Sequence, residues 1–158
     1  MKPVEGNLQM HLPDLTLHET TSVDQAIALR AELGDGARFM AGGTDLLVDL
    51  KTQRITAEHV ISIGGISTLR GVCLTENGLW IGALTTISQL LASNELDGAY
   101  EVIRDAAREM AAVQIRNIAT IGGNIASAVP CADLPPVLLA LDAAVVIAGV
   151  EGGVGSGV

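Results

Sequence analysis

The spacing of apolar residues changes several times along the chain, and each change predicts an element. "LTLHET" (15–20) alternates apolar and polar positions, the period of a strand with one buried face. In "TSVDQAIALRAELGDG" the residues Val23, Ala26, Ile27, Arg30 and Leu33 follow a helical stripe, with Arg30 its only polar member. Ser22 is a suitable N-cap, Gln25 its capping-box partner, and Gly34 a stop. "ARFMA" is then a short apolar strand running into Gly42 and Gly43, "TDLLVDLKTQ" a short helix capped by Thr44, and "EHVISI" the next strand. Strand, glycine turn, helix is the local order.

Further on, "LRGVCLTENGLWIGA" carries two β-prone runs around "ENG", where Asn77 and Gly78 can take positive φ, a hairpin signal. "TTISQLLAS" predicts a helix whose Thr86 and Gln89 form a second capping box. "AYEVIRDAAREMAA" has an apolar face of Ala99, Val102, Ile103, Ala106, Ala107 and Met110, and Arg104 and Arg108 are expected on the solvated face opposite. "VQIRNIATIGGN" breaks that pattern, and Gln114, Arg116 and Asn117 read as loop scaffolding. "DLPPVLLALDAAVVIAG" predicts a helix opened by Pro135 and Pro136, with Asp133 as its N-cap, followed by a buried strand. The pattern gives one folded unit over 14–148, preceded by an N-terminal arm (1–13) and followed by a Gly-rich flexible tail (149–158).

Composition narrows the fold class. Hydrophobic residues make up 49% of the 158, yet Phe39, Trp80 and Tyr100 are the aromatic ones, so the core must be built from Ala, Val, Ile and Leu. That composition suits an α/β (α+β) layering. A formal charge of −9 argues against a nucleic-acid surface. No stretch has the length of a membrane span and no leader-like apolar segment opens the chain, so a cytoplasmic location is expected. Cys73 and Cys131 belong to no metal-ligand pattern and are expected as buried thiols.

The chemistry lies in two glycine loops, "MAGGTDLL" and "NIATIGGN". Glycine lets a backbone N–H approach a phosphate oxygen without a Cβ in the way, and successive N–H groups form an anion nest. Thr44 and Asp45 in the first loop, and Thr120 and Asn124 in the second, add polar groups. In an acidic chain, such backbone groups are what would hold a phosphate. Neither the P-loop nor the dinucleotide-fold glycine fingerprint is present. No histidine adjoins either loop, since His11, His18 and His59 lie elsewhere.

"FMAGGTDLLVDLK", "LWIGALTTISQL" and "VQIRNIATIGGNIASAVPCADLPPVLLALDAAVVI", in this order, closely resemble the FAD-binding, or medium, subunit of the molybdenum hydroxylases, a family that includes xanthine and carbon monoxide dehydrogenases and aldehyde oxidoreductases. The resemblance implies a vanillyl-alcohol-oxidase (PCMH-type) FAD-binding fold, of which this chain would carry the N-terminal lobe and part of the second. It implies that Ala41, Gly42, Gly43, Thr44, Asp45 and Leu46 meet the FAD diphosphate from one side, and Thr120, Ile121, Gly122, Gly123 and Asn124 from the other. Ser127 and Asp133 match further cofactor-contacting positions. FAD would be bound non-covalently, with no catalytic residue or metal on this chain. Molybdopterin would sit on a large partner subunit and 2Fe-2S clusters on a small one, and FAD would pass their electrons to NAD or another acceptor. The alternative is a non-catalytic structural fragment or assembly partner that has lost stable FAD binding.

Overall fold

The computed structural model describes residues 11–149 and the backbone of 155–157. Three of the expected strands, β1 (Thr16–Glu19), β2 (Ala37–Met40) and β3 (His59–Ser62), form one parallel sheet in the order β1-β3-β2. Helices α1 (Val23–Leu33) and α2 (Leu46–Lys51) make the crossovers. The central strand shows why the sheet needs a layer on each face. Val60 and Ile61 are successive and fully buried, so they point to opposite sides. Ile61 packs with Ala26 and Ala37 on the α1 side, and Val60 with Leu50 on the α2 side. His18 Nε2 and His59 Nδ1 lie 3.2 Å apart across β1 and β3, a contact within the sheet.

The predicted hairpin is β4 (Val72–Thr75) and β5 (Gly78–Ile81), antiparallel with Cys73 opposite Trp80. Only Gly78 takes positive φ (+115°) at its turn, and Asn77 does not. Thr75 Oγ1 closes the turn by donating to Gly78 O and accepting from Asn77 N–H. Helices α3 (Ile87–Ala92), α4 (Glu101–Glu109), α5 (Val113–Arg116), α6 (Ile121–Ser127) and α7 (Leu134–Ala140) follow. Ile87, Leu90, Ile103, Ala107, Ile121 and Leu134 make a second core, against which Val72, Leu79 and Ile81 of the hairpin pack. The Thr86–Gln89 capping box forms as expected. At α1, Ser22 caps Gln25 N–H, but the Gln25 side chain accepts from Thr21 N–H instead, so that box closes one residue early.

Several expectations are corrected. Helix α2 begins at Leu46, and neither Thr44 nor the Asp45 side chain caps it. Asp133 has helical dihedrals and makes no cap hydrogen bond, because α7 starts on prolines that have no N–H to offer. Arg104 is half-buried and donates to Ser93 O (2.7 Å), tying α4 to the end of α3. Both cysteines are exposed free thiols. Cys73 lies on the hairpin face opposite Val72, Leu79 and Ile81. The strand expected to be buried at the end of the folded unit, β6 (Val145–Ile147), is exposed at every position and stands outside all three apolar clusters. Its partner is β7 (Gly155–Gly157), antiparallel, so this part of the expected flexible tail is a strand. Residues 1–10 of the arm, and 150–154 and 158 of the tail, lie outside the described residues.

The two halves join through residues 82–86. Leu84 belongs to the sheet core, and Ile87 just beyond belongs to the helical one. Thr85, 1% exposed, accepts from Gly71 N–H and donates to Gly71 O, both at 2.9 Å. Thr85→Val keeps the shape of a buried side chain but strips both of its bonds to Gly71, which is itself exposed. It is expected to lower the unfolding free energy by about 1–3 kcal/mol in urea titrations. A loss below about 0.5 kcal/mol would mean that Gly71 finds other partners.

Candidate functional site

Strand β2 ends at Met40 and releases the first glycine loop, Ala41–Asp45. The second loop runs from Asn117 to Thr120 and opens α6. Their closest approach is backbone to backbone: a Cβ built on Gly42 would stand 1.9 Å from Ile118 O and 3.2 Å from Ala119 N. Only glycine permits that contact. Gly43 has φ +73°, the left-handed region, and its place in the turn aims the next residues into α2.

The second loop is locked from the other side by residues 83–87. Ile87 N–H donates to Ala119 O (3.0 Å), Ile121 N–H to Thr85 O (3.0 Å) and Gly122 N–H to Ala83 O (2.9 Å). Gly122 lacks a Cβ because one would fall 2.7 Å from Ala83 O. Thr120 Oγ1 caps α6 by accepting from Gly123 N–H (3.1 Å), and Asn124 N–H donates to Thr120 O. Every amide from Ile121 to Asn124 is therefore satisfied within the protein.

The first loop is the opposite case. Among the described residues, the N–H groups of Gly42, Gly43, Thr44, Asp45 and Leu46 meet no protein acceptor. The expectation that both loops offer the same anion-binding amides is thus corrected: the first offers a row of them, and the second spends those of Ile121 to Asn124 on holding itself in place, leaving the Thr120 N–H without a protein acceptor among the described residues.

Between the loops lies a cleft of about 650 Å³. Ala41, Gly42, Gly43, Thr44, Asp45 and Leu46 line it, as do Thr120, Gly122, Gly123, Asn124, Ser127 and Asp133. Ile121 is the one predicted site residue that does not, being 4% exposed and part of the helical core. Asn124 Oδ1 is buried without a hydrogen-bond partner, an acceptor waiting for a donor. Ser127 Oγ donates to Asn124 O (3.1 Å). Asp45 and Asp133 are exposed at the cleft and make no side-chain hydrogen bond, whereas Asp49 pairs with Arg54 at 3.5 Å. No Lys, Arg or His lines the cleft among the described residues.

Sequence reasoning missed the apolar walls, formed by Phe39, Met40, Ile55, Met110, Ala111 and Ile115 among others. Phe39 had a signal, since the chain's one phenylalanine stands on the strand leading directly into the glycine loop, and the structure leaves it 44% exposed there. Residues 83–85 carried the resemblance, but nothing in their spacing showed that they template the second loop.

A model of the family described as the FAD binding domain in molybdopterin dehydrogenase matches residues 13–154. The chain belongs to this family. It is 37% identical over 135 residues to the carbon monoxide dehydrogenase medium chain of Afipia carboxidovorans, covering 85% of this chain and 47% of that one. To the xanthine dehydrogenase FAD-binding subunit of Escherichia coli O157:H7 it is 36% identical over 127 residues, 80% of this chain and 43% of the relative. The structure of the Cu,Mo carbon monoxide dehydrogenase in its cyanide-inactivated form matches with a TM-score of 0.88 at 34% identity, over 92% of this chain and 51% of that chain. The α+β fold expected for an FAD-binding domain of this family is therefore the fold found. The chain spans about half the length of these relatives.

Gly42→Ala is expected to force the loops of this FAD-binding-family domain apart and to destabilise it by about 1–3 kcal/mol, read in thermal or urea unfolding. Gly64→Ala is the control. Its Cβ would meet only Ser62 Oγ at 3.8 Å, and its effect should stay within about 0.5 kcal/mol. Equal losses in the two variants would show that the Gly42 contact is not special.

Proposed function

We propose that this chain holds FAD non-covalently in the cleft between the two glycine loops, as the FAD-binding part of an electron-transfer subunit in a multi-subunit molybdopterin-dependent hydroxylase or dehydrogenase. The observation that carries this reading is the row of open N–H groups from Gly42 to Leu46 along a cleft that, among the described residues, has no cationic side chain. Such a row suits a diphosphate, whose oxygens only accept hydrogen bonds from it. Asn124 Oδ1 and the open carboxylates of Asp45 and Asp133 are acceptors, so they suit the sugar and ribityl hydroxyls and would repel phosphate oxygens. The apolar walls suit the flat faces of the ring systems.

When bound, FAD supplies the redox chemistry at its isoalloxazine ring. The residues of this chain hold the diphosphate, orient the polyol by hydrogen bonds, and exclude water from the ring faces. In this reading electrons come from iron-sulfur clusters on a small partner subunit, after oxidation of substrate at a molybdenum cofactor on a large one, and leave for NAD or another acceptor in the cytoplasm. The membership of the family and the names of the relatives support it. Among the described residues no helix is long and apolar enough to cross a membrane.

One observation favours the second reading, a structural partner without flavin: in the second loop the amides of Ile121, Gly122, Gly123 and Asn124 are all taken by the protein, and among the described residues only that of Thr120 has no protein acceptor. Titration of the chain with FAD separates the two. Saturation at about one FAD per chain, with stabilisation of about 2.7 kcal/mol at a hundredfold excess over Kd, is the result expected for a cofactor site. No change in flavin fluorescence or in melting temperature at millimolar FAD would leave the structural reading.

Asn124→Ala gives a sharper expectation. It removes a buried acceptor with no partner and puts a better helix former in α6, so the ligand-free chain should be as stable or more so. FAD affinity should fall about five- to tenfold, the worth of one hydrogen bond of about 1–1.4 kcal/mol. Unchanged affinity measured by fluorescence titration would take Asn124 out of the site.

A further inference from the structure

Helix α4 ends at Glu109, and the residues just beyond it form a wall of the cleft: Met110 and Ala111 line it, as does Ile115 in α5. Ala111 carries φ +39°, a left-handed backbone that an L-residue adopts at a cost. Something must hold it there. Arg116, half-buried, turns back over this bend, and its Nη1 donates to Arg108 O (3.0 Å), Met110 O (2.9 Å) and Ala111 O (3.0 Å). These carbonyls stand at the negative end of α4, where a guanidinium is electrostatically favoured and where no continuing helix would otherwise supply donors.

We propose that Arg116 is a positioning residue for the cofactor cleft: by gathering the three carbonyls it fixes the Met110–Ala111 wall against which a ring of the bound flavin nucleotide packs. The proposal rests on the FAD reading above for the identity of the ligand, but the positioning itself is a property of the ligand-free chain. Arg116 does not line the cleft. It acts through the bend, and the bend connects in a few residues to Thr120 and α6, so the wall and the second loop share one tether.

Two features separate this role from general support of the fold. First, Arg108 and Ala111 are exposed, so water can reach two of the three carbonyls when the guanidinium is removed, while Met110, 8% exposed, stays anchored by its side chain in the helical core with Ile103, Ala107 and Ile121. Second, the strained backbone at Ala111 is then free to relax. The loss therefore falls on the conformation of the wall more than on the fold.

The test uses Arg116→Met and Arg116→Lys in the full chain. In Arg116→Met, hydrogen exchange of the ligand-free protein is expected to speed up about tenfold or more at residues 110–119, while α1 and the parallel strands are unaltered. FAD affinity should fall about tenfold, with a changed visible circular-dichroism spectrum of whatever flavin is bound. Arg116→Lys keeps a cation with several donors and should recover most of both losses, which a loss of bulk alone would not explain. Unchanged exchange at 110–119 in Arg116→Met would overturn the proposal, whatever the flavin result. So would unchanged FAD affinity and spectrum in a variant whose exchange did rise. A wild-type chain that takes up no FAD would overturn the FAD reading, and the exchange comparison would still decide whether Arg116 sets the wall. If Arg116→Met does not fold, Arg116→Gln, with a shorter arm and two amide donors, is read by the same criteria.

Discussion

The contact on which the site depends is the approach of Gly42 to the Ile118 carbonyl, two backbones meeting with no side chain between them. A contact between side chains can adjust by rotamer changes, but one between two backbones moves only if a whole segment moves. Strand β2 sets where Gly42 emerges, and β2 is held by β3, which is buried on both faces. The other partner is set by the hydrogen bonds from residues 83–87 to 119–122. The spacing of the cleft is thus inherited from two cores, one parallel sheet and one helical cluster, joined through Leu84 and Ile87.

That arrangement explains why the loops divide the work. The second loop enters α6, and the first amides of a helix need acceptors. Here they are taken by Thr120, Thr85 and Ala83, which also provide the bonds that fix the loop beside its neighbours. The first loop has no such flanking segment. Gly42 to Leu46, around the turn at Gly43, line the cleft, and among the described residues their amides have no protein acceptor. Rigidity on one side and open donors on the other are what a preorganised anion site requires, since donors that must first be freed from protein acceptors contribute less.

The parts of this structure that could be read in the sequence are those decided locally. The alternation in "LTLHET" marked β1 as a strand, although its Leu17 is 53% exposed instead of buried, the apolar run of "ARFMA" gave β2, and Thr86 with Gln89 gave a complete capping box. The glycine pairs pointed to a shared place, and the cleft brings together every predicted site residue except Ile121. That exception is itself local in origin, because the helical period of α6 turns Ile121 toward the core while its neighbours face the loop. What could not be read was decided by partners distant in the chain. The satisfied amides of the second loop depend on residues 83–85, the exposure of β6 on which elements pack against it, and the half-buried Arg104 on the end of α3. Asp133 had the residue type of a cap but precedes prolines, so the orphan amides that a cap serves are fewer there.

Charge adds a last constraint. The chain has a net charge of −9, and its cleft presents the carboxylates of Asp45 and Asp133 with no Lys, Arg or His in the lining among the described residues. Attraction for an anion must then come from oriented dipoles at short range, which act within a turn of the backbone and not across the protein. A phosphate seated on the Gly42–Leu46 amides gains from them, while one displaced toward Asp133 is repelled. On the FAD reading proposed above, the carboxylates would therefore do more than accept hydroxyls. They would restrict where along the cleft the negative charge of a ligand can settle, so register would be imposed by repulsion at the polyol positions as much as by attraction at the glycine turn. This selection would be lost if a lysine or arginine lined the cleft, because a long mobile cation would attract the anion in many places. In an acidic chain, a small set of fixed amides can thus specify a position that a strongly basic pocket would leave broad.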